Sequence, residues 1–223
     1  MPLRRVLRDN GLSLVLAALF LVFWAGLTFA GHRDYNDEQR AHGEPEIAYT
    51  DYLGTSHFWE ATAENWESEF LQMFAYVVLT AFLFQRGSAE SKNPDKPEEV
   101  DRDPGASHDR PDAPWPVRRG GLALKLYEHS LSLALLLCFL ISLGAHAVAG
   151  AAEYNAEQIA HGEAAISVGQ YLGTARFWNE SFQNWQSEFL AIALMVVFTI
   201  YLRQRGSPES KPVDAPHLET GHG

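Results

Sequence analysis

Two stretches of this chain repeat each other at a fixed distance, and that repetition limits the fold more than any other feature. Tyr35-Asn36 returns as Tyr154-Asn155, a shift of 119 residues (154 − 35). The same shift carries Glu38-Gln39 onto Glu157-Gln158, His42-Gly43-Glu44 onto His161-Gly162-Glu163, and Tyr52-Leu53-Gly54-Thr55 onto Tyr171-Leu172-Gly173-Thr174. Phe58-Trp59, Asn65-Trp66, Ser68-Glu69-Phe70-Leu71 and Gln85-Arg86-Gly87-Ser88 recur in the same register, and no gap is needed from about residue 10 to residue 92. Chance does not produce such a run. The chain reads as a duplication, and the matched positions are those that both copies kept.

Each copy holds two apolar blocks. Leu12 to Ala30 and its counterpart Leu131 to Gly150 have the length needed to cross a hydrocarbon layer as a helix, roughly 20 residues. Arg4, Arg5 and Arg8 before the first block, and Thr28-Phe29-Ala30 after it, resemble a secretory signal peptide. The matching block lies deep inside the chain, so a retained span is expected. Phe70 to Phe84 and Phe189 to Leu202 are shorter, and they gain length if their helices start upstream, with Trp66 or Trp185 at the headgroup level. A surface helix of a soluble bundle would show one apolar stripe opposite charges, whereas Phe70 to Phe84 has no charged residue on any face.

Arginine and lysine set the orientation. Arg4, Arg5, Arg8, Arg86, Lys92, Arg118, Arg119, Lys125, Arg203, Arg205 and Lys211 all fall on one side of the four blocks, against Arg33, Arg40 and Arg176 on the other. The positive-inside rule then makes both termini and the central linker cytoplasmic. With two spans per copy, both copies share one orientation. The fold expected is an all-α membrane protein, four transmembrane helices arranged as two tandem helical hairpins with pseudo-twofold symmetry. Residues 1–92 would form the first two-helix unit and 119–206 the second. Residues 93–118 and 207–223, rich in Pro, Asp, Glu, Ser and Gly, are expected to be disordered, with His108, His217 and His222 solvated.

The outer segments are where the copies agree best. The first helix of each hairpin is predicted to run beyond the bilayer to Gly43 or Gly162, each suited to a left-handed cap. Thr55 and Thr174 are predicted N-caps of the second helix. Small residues four apart, Gly26 and Ala30, repeat as Ala145 and Ala149, which predicts a contact face between the units.

Candidate polar sites follow from helical spacing. Glu38 and His42 share a face, with Tyr35 a turn earlier and Glu44 just beyond, and Tyr154, Glu157, His161 and Glu163 repeat the set. Asn65, Glu69 and Thr80 align on the second helix, as do Asn184, Glu188 and Thr199, a stripe expected to face the bundle interior. Trp59, Trp66, Trp178 and Trp185 are expected as interfacial anchors, with aromatic cleft walls the alternative. His146 within the third block, opposite Leu27 of the first copy, is a further intramembrane candidate.

Three uses compete for these groups. They hold helices together or bind a partner; they line a path for a proton, cation or small solute; or Glu38, His42, Glu157 and His161 bind a metal in an enzyme. The last has Glu-x3-His spacing, unlike the Glu-x2-His of di-iron bundles. No nucleophile elbow, phosphate loop, haem Cys motif or Cys pair is present, and the single Cys138 excludes an internal disulfide. We therefore expect no cofactor and no resident metal, and the balance leans away from an enzyme. A net charge of −11 excludes the basic surface that nucleic acid requires. Expected partners are the lipid bilayer, a second copy of the chain, or another membrane protein.

Taken together, Tyr-Asn-x-Glu-Gln, His-Gly-Glu, Tyr-Leu-Gly-Thr-x-x-Phe-Trp and Asn-Trp-x-Ser-Glu-Phe-Leu resemble a bacterial integral-membrane family classed as a domain of unknown function. The resemblance covers both repeats. It implies a bacterial inner membrane as the location and carries no activity with it.

Overall fold

The computed structural model describes residues 3–221, among which there is no strand; His222 lies outside the described residues. Leu3–His42 form α1, Tyr49–Tyr52 form α2 and Ser56–Phe82 form α3. Trp115–Arg119 (α4) and Gly121–Glu128 (α5) lead into Ser130–Ala160 (α6). Val168–Tyr171 (α7) and Ala175–Tyr201 (α8) complete the order.

Three of these helices, α1, α6 and α8, are long and apolar enough to cross a membrane. Their large side chains are widely exposed, Leu12, Phe23, Leu131 and Leu137 among them. That is an unfavourable surface in water and the expected one where lipid is the solvent. Helix α3 matches α8 in length at 27 residues. Its acids Glu60, Glu64, Glu67 and Glu69 all fall in its first half, so only the stretch from Phe70 onward is free of charge.

The chain forms two compact units, Met1–Thr62 with His146–Tyr171, and Ala63–Ala145 with Leu172–Gly223. Each unit draws on both sequence copies. Of the small-residue face expected at Gly26, Ala30, Ala145 and Ala149, Ala149 is buried and Ala145 is exposed, and the first pair is not packed. Both are exposed, and a Cβ added at Gly26 would meet nothing within 4 Å. Close packing falls at the next residue, Gly31, and at its counterpart Gly150, where a tyrosine hydroxyl fills the space a Cβ would need.

The bends after α1 and α6 are built alike. Gly43 and Gly162 both adopt φ 77°, the left-handed conformation that a side chain disfavours. The N–H of Glu44 then donates to the Gln39 carbonyl at 2.8 Å and that of Glu163 to the Gln158 carbonyl at 2.8 Å, closing each helix end. Beyond the turn the connector is clamped by an asparagine from the preceding helix. The Asn36 side chain donates to the Ile47 carbonyl (3.1 Å) and accepts from the Ile47 N–H (2.9 Å). Asn155 does the same with Ile166, at 2.9 and 2.8 Å. Thr55 and Thr174 then cap α3 and α8, accepting from the N–H groups of Phe58 and Phe177 at 3.2 and 3.3 Å.

Residues 93–118, expected to be disordered, carry 3-10 turns at Glu99–Asp101 and Pro104–Ser107 as well as α4. Glu98 and Asp101 form a reciprocal capping box, and Asp103 accepts from the Gly105 N–H at 2.8 Å. In the tail, Lys211 is almost fully buried, and its Nζ donates to the carbonyls of Pro216, His217 and Glu219 at 3.2, 2.9 and 2.8 Å.

The two clamps differ in one respect. His32 Nε2 also reaches the Ile47 carbonyl, at 2.9 Å, whereas its counterpart Ala151 offers Ile166 nothing. Losing a partner for a shielded backbone group costs about 1–3 kcal/mol. Asn155→Ala should therefore lower the thermal midpoint in detergent more than Asn36→Ala does. Equal losses in the two variants would refute a share for His32.

Candidate functional site

The first unit gathers aromatic hydroxyls, imidazoles and carboxylates around two buried tyrosines. Tyr52 sits at the end of α2, and Thr55 and Gly54 turn the chain there so that its ring points back under Gly31 of α1. It is 2% exposed, and its hydroxyl is hydrogen-bonded to His57 Nδ1 at 3.2 Å. Its ring centroid lies 5.7 Å from His32, 5.8 Å from Tyr35 and 5.9 Å from His57, and Tyr35 is 5.4 Å from His57. His32 meets Tyr49 edge-on, and the Tyr49 and Thr28 hydroxyls are 2.6 Å apart. Ser56 Oγ donates to Glu153 Oε2 at 2.6 Å.

The counterpart, Tyr171, is fully buried under Gly150 and 5.8 Å from the Tyr154 ring, as Tyr52 is from Tyr35. Its hydroxyl donates to Glu60 Oε1 at 3.5 Å, a long bond. His146, on α6 of the same unit, is completely buried. Burial pushes the Tyr52 phenol above the ordinary tyrosine range, and the negative charges of Asp34 and Glu153 add to it. Chemically the cluster can hold and exchange protons and hydrogen bonds at several neighbouring oxygens and nitrogens.

Of the residues singled out by spacing, Tyr35 and Tyr154 belong to this cluster. The Glu38–His42 pair does not form a side-chain site. His42 Nδ1 is bonded to the backbone carbonyl of Glu38 at 3.0 Å, and His161 Nδ1 to that of Glu157 at 2.8 Å. Each imidazole thus satisfies a carbonyl near its helix end, which leaves the carboxylates outside. Glu38, Glu44, Glu157 and Glu163 are exposed, with Glu163 accepting from Gln158 at 2.6 Å. Among the described residues no group of three His, Cys, Asp or Glu side chains could hold a metal ion.

In the second unit the two stripes expected to be interior differ. On α3 Asn65 and Glu69 are exposed, whereas Glu67 and Ser68 are buried, because Glu67 has a partner of its own. On α8 Asn184 and Glu188 are half-buried and Thr199 is buried. Trp185 Nε1 donates to Glu67 Oε1 at 2.9 Å. Asn184 donates to Glu64, and Gln72 to the Glu188 carbonyl at 3.0 Å. Trp185 is therefore tied to a buried carboxylate and also packs edge-on against Phe139 and Phe182. Trp59 and Trp178 are exposed and Trp66 is half-buried. Thr80 returns its hydroxyl to its own helix, while the buried Thr199 bonds Ser88 at 2.9 Å.

Spacing alone passed over Gly31, Tyr52, His57, Glu67 and Glu153. A signal existed for the first two. Gly31 and Gly150 occupy equivalent places, as do Tyr52 and Tyr171, so a kept glycine and a kept tyrosine marked one packing device. His57 and Glu67 became Arg176 and Gln186 in the second copy, so the repeat gave no sign of them.

A family described as a domain of unknown function, DUF6766, matches residues 3–222. The chain belongs to this family. The match takes in both outer bends, the clamps and the tyrosine cluster. No curated protein and no solved structure matches the chain.

Two outcomes follow for the cluster. A Cβ at residue 31 or 150 would collide with the tyrosine hydroxyl beneath it. Gly31→Ala and Gly150→Ala should each destabilise by about 1–3 kcal/mol, as overpacking does. Combining Gly31→Ala with Tyr52→Phe should restore part of the loss; failure to restore any of it would place the strain elsewhere. The second concerns pH. The folded protein holds the Tyr52 proton more tightly than the unfolded chain, whose phenol titrates near ~10. That stabilisation is complete below about pH 10 and is lost as pH rises through the elevated folded value. Phenolate absorbance should show a late-ionising tyrosine that Tyr52→Phe removes, with Glu153→Gln shifting its midpoint to lower pH.

Proposed function

We propose that this chain is a four-pass protein of a bacterial inner membrane, with both termini cytoplasmic and two pseudo-symmetric hairpins. On this reading it is non-enzymatic. Its outer segments form a rigid, acid-rimmed cap that ties the membrane helices together and presents a surface to a second copy or another membrane protein. The fourth span is α3, with Phe70 to Phe84 in the hydrocarbon and the Trp66 region at the interface. The basic residues flanking the apolar blocks support the orientation, and the family match is compatible with a membrane protein of unassigned activity.

One observation carries the functional part. The polar outer residues kept in both copies end on the chain's own backbone: Asn36 on Ile47, Asn155 on Ile166, His42 on the Glu38 carbonyl, His161 on the Glu157 carbonyl. Groups satisfied in this way hold a shape; they do not wait for a substrate. What remains outward is acidic: Asp37, Glu38, Glu44, Glu46, Asp51, Glu157 and Glu163 are all exposed. A second reading, a path for protons or cations, draws support from the fully buried carboxylate-bearing Glu67 of α3.

Both parts are open to measurement. With Cys138 replaced by Ala, a cysteine at Asp51 should react with an impermeant thiol reagent added to intact cells, and one at Ser107 should react only after lysis. External labelling at Ser107 would overturn the orientation. Vesicles containing the pure protein should hold proton and potassium gradients as long as protein-free vesicles do. A leak that Glu67→Gln abolishes, with an unchanged thermal midpoint, would establish the conducting reading instead.

A further inference from the structure

In the second unit, the C-terminal turns of α3 and the middle of α8 line an open cavity of about 240 Å³. Its walls are Leu83, Phe189, Ile192 and Val196, with Tyr76 and Glu90 at one side. Glu90 sits on the loop after α3. One of its carboxylate oxygens, Oε2, accepts from the Tyr76 hydroxyl at 2.6 Å. The other, Oε1, is buried and has no hydrogen-bond partner among the described residues. A carboxylate oxygen shielded from water and left unbonded is expensive, and a charge beside apolar walls attracts a counter-charge strongly.

The chain itself supplies little to answer it. Lys92 and His129 border an adjoining cavity that Glu90 also lines, but the Lys92 ammonium is held by Asp101 at 2.6 Å. Glu209, from the segment after α8, lies within electrostatic reach of Tyr76, so the surroundings carry a second negative charge. The arrangement belongs to the first copy alone, since the counterpart of Tyr76 is Met195 and Glu209, the counterpart of Glu90, is exposed.

We propose that this cavity binds a free lipophilic primary ammonium. Its N–H groups would meet Glu90 Oε1, and its alkyl chain would lie among Leu83, Phe189, Ile192 and Val196. A neutral alcohol could donate one hydrogen bond but would leave the charge unanswered. An aminophospholipid would bring a phosphate toward two carboxylates. The occupant is therefore an amine without an attached anion.

The test uses the full-length protein in a neutral detergent, titrated calorimetrically with octylammonium and, separately, 1-octanol. Octylammonium should saturate at one per chain and bind at least tenfold more tightly than octanol. Glu90→Gln keeps an acceptor for Tyr76 and should weaken octylammonium at least tenfold while leaving octanol unchanged. Ala193→Phe, which narrows the cavity with Glu90 intact, should abolish binding of both. Thermal midpoints of both variants near that of the parent protein would show that the fold survives. Octylammonium binding indifferent to Glu90→Gln, or no saturable binding, would overturn the site. Displacement of octylammonium by short-chain phosphatidylethanolamine at equal concentration would overturn the choice of a free amine.

Discussion

A chain that turns back between two long helices must account for every backbone N–H and C=O at the bend, and the segments around α2 and α7 are organised around that requirement. Within the helices the ladder satisfies these groups at no cost to the sequence. At the turns it cannot. Gly43 and Gly162 therefore take the left-handed conformation that lets the next N–H reach back, and Asn36 and Asn155 offer a side-chain amide that mimics a peptide to the connector. The clamp fixes where the short helices α2 and α7 begin, and their last residues are Tyr52 and Tyr171. The buried tyrosines thus depend on the asparagines, and the glycines at 31 and 150 are the spaces into which they fit.

The device occurs twice, 119 residues apart, and its two occurrences are unequal. His32, Tyr49 and Thr28 form a polar group in the first copy, where the second has Ala151, Val168 and Ala147. Along α3, Glu60, Glu64 and Glu67 recur at helical spacing, while the corresponding positions of α8 are Asn179, Gln183 and Gln186. Three carboxylates on one helix match three amides on its counterpart. Three equivalent carboxylates on α8 would have added like charges near shielded acids. Instead the donors to two of the acids come from the second copy itself, the Asn184 amide to Glu64 and the Trp185 indole to Glu67. The halves are consequently not interchangeable, since each lacks what the other provides.

Much of the outer architecture was legible because the repeat reported it. The Gly43 and Gly162 ends, the Thr55 and Thr174 caps and the long first helix all follow from residues kept in both copies. Sequence failed where function depends on difference. Glu67 and His57 have unlike counterparts, Gln186 and Arg176, so a self-comparison hides them, whereas Glu153 is matched by another acid, Asp34. It failed also on phase. The Asn65–Glu69 stripe and the Glu67–Ser68 stripe are a fraction of a turn apart, and spacing cannot choose between them without knowing where Trp185 stands. The Glu38–His42 pair shows a third limit. Residues four apart share a face, yet near the helix end the imidazole bonds the backbone carbonyl of Glu38 and not its carboxylate.

The loops after α3 and α8 extend the same logic with another outcome. Gln85-Arg86-Gly87-Ser88 and Gln204-Arg205-Gly206-Ser207 turn alike. Gly87 and Gly206 have φ 88° and 84°, and Ser91 and Ser210 accept from the N–H groups of Gln85 and Gln204 at 2.8 and 2.9 Å. The lysines that follow part ways. Lys92 meets the Asp101 carboxylate, whereas Lys211 is caged by three carbonyls of the tail. The tail is then carried back to the first copy's loop, where Thr220 accepts from the Gly87 N–H at 2.8 Å and the Gly221 N–H donates to the Ser88 carbonyl at 3.0 Å. One loop sequence thus serves two ends: in the second copy it folds the chain terminus, and in the first it receives that terminus. Because Glu90 lies within the receiving loop, its orientation beside the apolar cavity is fixed by contacts that the second copy supplies.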